Sequence, residues 1–140
     1  MEQTLILIKP DGMKKGVAGK VISRFEEAGF KMVAVKLIQL NQELLDKWYV
    51  HHKDKDFFPF LCEFMMRRPV LVMVWQGKDV IAKVREICGA TDPNKAEKGT
   101  IRADFGGPTV TENIIHASDS PETAEREKKL IFSPEEVFKD

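Results

Sequence analysis

This sequence has little of what builds disulfide frameworks, zinc clusters or membrane spans. Its two cysteines, Cys62 and Cys88, each lie in an apolar helical context. That fits buried, reduced thiols and excludes a disulfide framework, while a single bond between them stays open. Their spacing matches no zinc pattern. No apolar run reaches the length of a membrane-spanning helix. The opening Met1-Glu2-Gln3-Thr4 lacks the basic, then apolar, then small-residue order of an export signal, so the cytoplasm is the expected location. Lys plus Arg and Asp plus Glu balance at 22 each, for a net charge of zero. With no basic field, anion binding must come from locally gathered Lys and Arg. The usual nucleotide and hydrolase signatures, G-x-x-x-x-G-K-[ST], G-x-G-x-x-G and G-x-S-x-G, are absent as well.

What is present reads as one domain spanning residues 1–140, long enough to bury roughly two-thirds of its unfolded surface. Thr4-Leu5-Ile6-Leu7-Ile8 is a continuous apolar run, as in a strand buried on both faces. Lys9-Pro10-Asp11-Gly12 then stops the strand and turns the chain. Val17, Val21, Ile22, Phe25 and Ala28 recur at helical spacing before Gly29, a C-cap signal. Phe30 to Leu40 reads as a second strand. Asn41 caps a helix through Leu44, Leu45 and Trp48, and a short helix from about Phe57 to Met66 completes a helical hairpin. Pro69 to Trp75 is another buried strand, followed by a helix from about Asp79 to Cys88. Thr91 to Asp104 reads as a long loop. Then come the His116 strand, a helix from Pro121 to about Leu130, and a capped turn at Ser133-Pro134. Two β-α-β units with short links predict a ferredoxin-like βαββαβ sandwich. Its four-stranded antiparallel sheet would carry helices on one face, with an inserted helical hairpin and a helical C-terminal tail.

The chemistry centres on Asn113-Ile114-Ile115-His116-Ala117-Ser118-Asp119-Ser120-Pro121. Two β-branched residues deliver a histidine, and Ser120-Pro121 looks like an N-cap with proline at the first helical position. A lone histidine in an apolar run is often simply packed. Asn three before it, Ser two after it and an acid on the next helix favour a nucleophile. Glu127 lies two helical turns beyond Ser120, and its side chain leans back toward the helix start, where a carboxylate can orient an imidazole. By itself the run Glu125-Arg126-Glu127-Lys128 reads as a solvated face. Lys9 is either a snorkelling lysine or a ligand-reaching one. Together Lys9, Arg85, Thr91 and Arg102 sit at element ends or in loops where they can converge on an anion. A histidine nucleophile with such a cradle suits phosphoryl transfer, whose transition state spreads negative charge over the phosphoryl oxygens. His51 and His52 are adjacent and diverge, which makes a poor metal pair.

The segment from Asn113 to Ser120 resembles the N-x-x-H-[GA]-S-D signature of nucleoside diphosphate kinases. The similarity extends over nearly the whole chain: Thr4 to Gly12 with its K-P-D-G turn, Tyr49 to Phe58, Arg85 to Pro93, and Gly99 to Phe105. It implies that His116 takes the γ-phosphoryl group of a nucleoside triphosphate and passes it to a nucleoside diphosphate, in a ping-pong cycle that maintains nucleotide pools. Arg85, Thr91 and Arg102 would hold the phosphates, with Mg²⁺ riding on the nucleotide and no protein metal site. Lys9 and Asn113 would bond the sugar hydroxyls. Phe57 would stack on the base beside Leu61 and Val110, which gives low base selectivity. Tyr49 and Glu127 would position His116, with Ser118 beside them, and His52 would face the phosphates. Ala117 is the less common choice at its position, and Gly106 to Glu112 is longer and more glycine-rich than the pattern, which loosens the assignment of Val110. The chain ends soon after Phe138, short of the longer C-terminal tail of many hexameric relatives, so the resemblance leaves tetramer and hexamer both open, with a dimer as the building block.

Two other classes compete. A βαββαβ sheet also builds RNA-binding domains, but zero net charge and the lack of an RNP1-like strand argue against a nucleic-acid-binding module. A catalytically silent relative would not need the full set of matched residues.

Overall fold

The computed structural model describes residues 1–139. The elements run β1 (Gln3–Ile8), α1 (Pro10–Lys15), α2 (Ala18–Glu27), β2 (Lys31–Ile38), α3 (Gln42–Trp48), α4 (Phe58–Met66), β3 (Val70–Gln76), α5 (Val80–Cys88), α6 (Ile101–Phe105), β4 (Ile115–Ala117) and α7 (Pro121–Ile131), with single 3₁₀ turns at Pro93–Lys95 and Pro134–Glu136. The strands pair antiparallel in the order β2-β3-β1-β4. This is the ferredoxin-like sheet that the two β-α-β units predict.

Side chains alternate across a strand, so β1 feeds two cores at once. Ile6 and Ile8 pack with Met73, Trp75, Val21, Phe25, Val80 and Val84 against the crossover helices α2 and α5. Leu5 and Leu7 pack with Val72 and Val74 against Leu45, Trp48, Phe58 and Met65 of the hairpin, and against Phe132. Helices therefore cover both faces of the sheet, not one as the sequence reading had it. The crossover helices take one face, and the α3–α4 hairpin and the C-terminal segment take the other. This double cover explains the unbroken apolar runs Leu5 to Ile8 in β1 and Val70 to Trp75 in β3.

Two local readings change. Lys9-Pro10-Asp11-Gly12 is not a turn but the start of α1, with Pro10 in the first helical turn, where its missing N–H costs nothing. Gly12 is needed for close approach: a Cβ there would meet Ile8 at 2.9 Å and the Ile114 carbonyl oxygen at 3.0 Å. The stretch from Thr91 to Asp104 is also not a plain loop. Asp92 caps the first 3₁₀ turn, and the Thr100 side chain accepts from Ala103 N–H to start α6. Short polar caps of this kind specify helices too brief to show a period. The Asn41 and Ser120 caps stand as the sequence predicts, accepting from Leu44 and Thr123 N–H respectively.

Candidate active site

β4 is only three residues long and pairs with the end of β1, which puts His116 opposite Leu7. The approach to it is unusual. Ile114 has φ +72°, a region β-branched residues rarely enter. The Ile115 N–H donates to Asn113 O at 2.8 Å, which closes a γ-turn around Ile114. That turn separates Asn113 from the strand and delivers His116 to the cleft.

α7 supplies the histidine's partner. Glu127 lies on its inner side with Ala124, and only 2% of it is exposed. Its two carboxylate oxygens lie 3.0 and 2.9 Å from His116 Nε2. Ser118 Oγ donates to the same carboxylate at 2.8 Å, and its oxygen in turn accepts from Leu5 N–H at 3.2 Å. A buried carboxylate is tolerable only with such partners. Because a carboxylate only accepts, Nε2 carries the proton, and the lone pair of a neutral imidazole lies on Nδ1. Trp48 stands edge-on to the same ring, with centroids 5.4 Å apart.

The cleft in front of His116 is a cavity of about 400 Å³ walled by Lys9, Tyr49, Arg85, Thr91, Arg102 and Asn113, among others. Lys9 is 8% exposed; its Nζ donates to Asn113 Oδ1 at 2.8 Å and to Thr111 O at 2.7 Å, and it sits over the Phe64 ring. Burial pulls its ammonium down to about 8; Asp11 opposes that shift and Arg102 adds to it. Asn113 Nδ2 donates to Thr91 O at 3.1 Å, tying the loop after α5 to the strand. Arg102 donates to the carbonyls of Asn113, Gly89 and Ile115 at 3.3, 2.9 and 2.7 Å. Burial lowers its pKa, and each terminal nitrogen keeps one N–H for another acceptor. Arg85 Nη1 reaches Ala117 O at 3.2 Å. Tyr49 lines the cavity without a hydrogen bond to His116 or Glu127. Burial, then the Glu127 charge, push its phenol well above the ordinary range.

Not every residue from the sequence reading joins this cavity. Ser118 lies buried behind Glu127. Phe57 and Val110 are 50% and 51% exposed, and with Leu61 they stand outside the cavity wall. His52 is in the wall, with Phe57 5.7 Å from its ring. The sequence reading missed Trp48, Asp119, Thr123 and Arg126 as wall residues. Arg126 hides in a charged run, yet its Nη1 reaches Lys47 O and Trp48 O at 3.3 and 3.4 Å, capping α3. The position of Trp48 at the end of α3 was the one available signal for it.

The family model for nucleoside diphosphate kinase matches residues 2–137. The chain belongs to that family. A nucleoside diphosphate kinase of Carboxydothermus hydrogenoformans is 52% identical over 99% of this chain and 92% of its own length. One of Thermus thermophilus is 47% identical over 99% and 100%. Among solved structures, the Aquifex aeolicus nucleoside diphosphate kinase superposes with a TM-score of 0.93 at 44% identity, covering 98% of this chain and 99% of that one. The Halobacterium salinarum enzyme, solved in complex with CDP, gives 0.94 at 40% identity, with 99% and 91% covered. As a nucleoside diphosphate kinase, the chain is a phosphotransferase from nucleoside triphosphate to nucleoside diphosphate. The family's reaction needs a divalent cation. Among the described residues no three histidine, cysteine or carboxylate side chains gather to hold one, and no helix is long and apolar enough to cross a membrane.

Proposed function

We propose that His116 carries the phosphoryl group on Nδ1, in a ping-pong cycle. The supporting observation is the paired contact of Nε2 with Glu127 at 2.9 and 3.0 Å. In the first half-reaction, Nδ1 attacks the γ-phosphorus of a nucleoside triphosphate. The new N–P bond forms as the bond from phosphorus to the bridging oxygen breaks, and nucleoside diphosphate leaves. The second half-reaction reverses these steps with another diphosphate as acceptor. No proton has to move. The ring gains positive character as it bonds to phosphorus, and Glu127 lies where it stabilises that charge.

In this reading Arg85, Thr91 and Arg102 hold the phosphates, while Lys9 and Asn113 bond the sugar. Phe57, Leu61 and Val110 form an outer rim against the base; their place outside the cavity wall suits weak base selectivity, since a ring face offers no hydrogen-bond pattern. The cation is Mg²⁺, carried in on the phosphates. The cavity's cationic lining fits that arrangement, with Asp119 its one carboxylate not bonded to the protein. When bound, Mg²⁺ neutralises phosphate charge.

Residues 1–140 act as one kinase domain. The exposed Val35 and Leu37 on the outer strand β2 suit pairing with a second copy, in keeping with a dimer-built tetramer or hexamer. Reduced, buried Cys62 and Cys88 suit the cytoplasm. The test is intact-mass analysis after γ-labelled ATP and Mg²⁺ without acceptor. Wild type gains an acid-labile phosphoryl group that GDP discharges, and His116→Ala gains none. A His116→Ala protein that still transfers phosphoryl groups at the wild-type rate would sink this reading.

A further inference from the structure

Asp11 belongs to no part of the chemistry above, yet it meets the chain just ahead of His116. Its Oδ2 accepts the Ile114 N–H at 2.9 Å, while the Lys9 N–H donates to Ile114 O at 2.8 Å. Both polar backbone groups of Ile114 are thus held by the segment Lys9 to Asp11, more than a hundred residues away in the sequence. Ile114 is the residue at φ +72°, β-branched and fully buried. A residue in that region persists only where its surroundings over-determine it. Gly12 contributes as well, since a Cβ there would stand 3.1 Å from the Ile114 Cγ2. Asp11 is itself 8% exposed, and its Oδ1 has no partner. Burying a carboxylate with one oxygen unpaired opposes folding. An alanine would avoid that cost, so the acid is explained by what it holds.

We infer that Asp11 is a positioning residue for phosphoryl transfer, holding the Ile114 γ-turn that sends Asn113 toward Lys9 and His116 into the cleft. The inference rests on His116 as the phosphoryl carrier. The Asp11 carboxylate also partly offsets the lowering of the Lys9 pKa by burial. The titratable and charged groups that face Lys9 are Asp11 on α1 and Arg102 on α6, with Arg85, Asp119, Arg126, Glu127 and the imidazole of His116 in the same cavity wall. Asp11→Asn keeps an oxygen to accept the Ile114 N–H but removes the charge; Asp11→Ala removes both.

The experiment measures single-turnover phosphorylation of His116 by ATP and Mg²⁺, with the pH profile of kcat/KM, in wild type, Asp11→Asn, Asp11→Ala and His116→Ala. Asp11→Ala is expected to slow phosphorylation about tenfold or more, the range for a buried N–H left without its acceptor. Asp11→Asn should lose less at neutral pH, while its alkaline limb moves to lower pH because Lys9 has lost its anion. A folded Asp11→Ala protein phosphorylated at the wild-type rate would overturn the inference. If Asp11→Ala does not fold, Asp11→Asn decides: it keeps the acceptor for the Ile114 N–H, so a loss of more than about tenfold in its phosphorylation rate at neutral pH overturns the inference. Wild type that gains no phosphoryl group would instead remove the His116 reading and this inference with it.

Discussion

Trp48 and His116 meet edge to face, with ring planes at 71° and centroids 5.4 Å apart. Glu127 fixes one ring nitrogen, and the indole limits rotation of the imidazole about that bond. The same helix serves both contacts, since Arg126 holds the carbonyl of Trp48 while its neighbour Glu127 holds the histidine. Trp48→Leu is expected to lower the single-turnover rate by about two- to tenfold, as an aromatic pair is worth roughly 0.5–1.5 kcal/mol. Trp48→Phe should lose less. Equal rates in all three proteins would show that the indole merely fills space. The other tryptophan, Trp75, lies in the core beside Phe25, so a Trp75→Phe background isolates the Trp48 fluorescence as a probe of His116 phosphorylation.

Glu127→Gln separates charge from shape. The amide oxygen can still accept the Nε2 proton, but no anion faces the ring as it turns positive. A fall in kcat of about ten- to a thousandfold is expected, with KM little changed, because the lost interaction strengthens only in the transition state. A raised KM at unchanged kcat would assign Glu127 to nucleotide binding instead.

The elements with strong periods were legible. β1 and β3 have continuous apolar runs, α2 and α5 have apolar residues at helical spacing, and Asn41 and Ser120 stand as polar caps directly before their helices. α1 and α6 were not legible, because five or six residues show no period and their starts look like turns. The meeting of His116 with Glu127 could be anticipated from helical spacing and side-chain direction. Arg126, Asp11 and the left-handed Ile114 could not. Their significance comes from contacts with residues tens to more than a hundred positions away, and no local pattern encodes these.

Lys9 ties stability and binding to pH in opposite directions. Its folded-state pKa is about 8 against an ordinary 10.5. Below pH 8 the lysine is charged in both states, and its burial opposes folding by roughly 3 kcal/mol. Between pH 8 and 10.5 the unfolded chain binds more protons, so this penalty is relieved and stability rises. Over the same range the cavity loses an ammonium, and nucleotide KM should increase. Thermal melts of wild type and Lys9→Met from pH 7 to about 10.5 isolate the effect, since Cys88, pushed up to about 11, acts on both proteins alike. If the difference in Tm between them does not change with pH, Lys9 is not buried as a charge.

Removing the divalent cation should separate catalysis from fold. A resident metal site contributes binding energy to the native state, so chelation lowers Tm. Here the cavity wall brings Lys9, Arg85, Arg102 and Arg126 together, and Glu127 is already shared between His116 and Ser118. A cation that enters on the nucleotide leaves the free protein indifferent to chelator. EDTA is therefore expected to abolish His116 phosphorylation by ATP while leaving the Tm of the nucleotide-free protein unchanged, and added Mg²⁺ should restore the rate. A drop in Tm on chelation without nucleotide would mean that the protein itself holds the ion, and Asp119→Asn would then be the first variant to test.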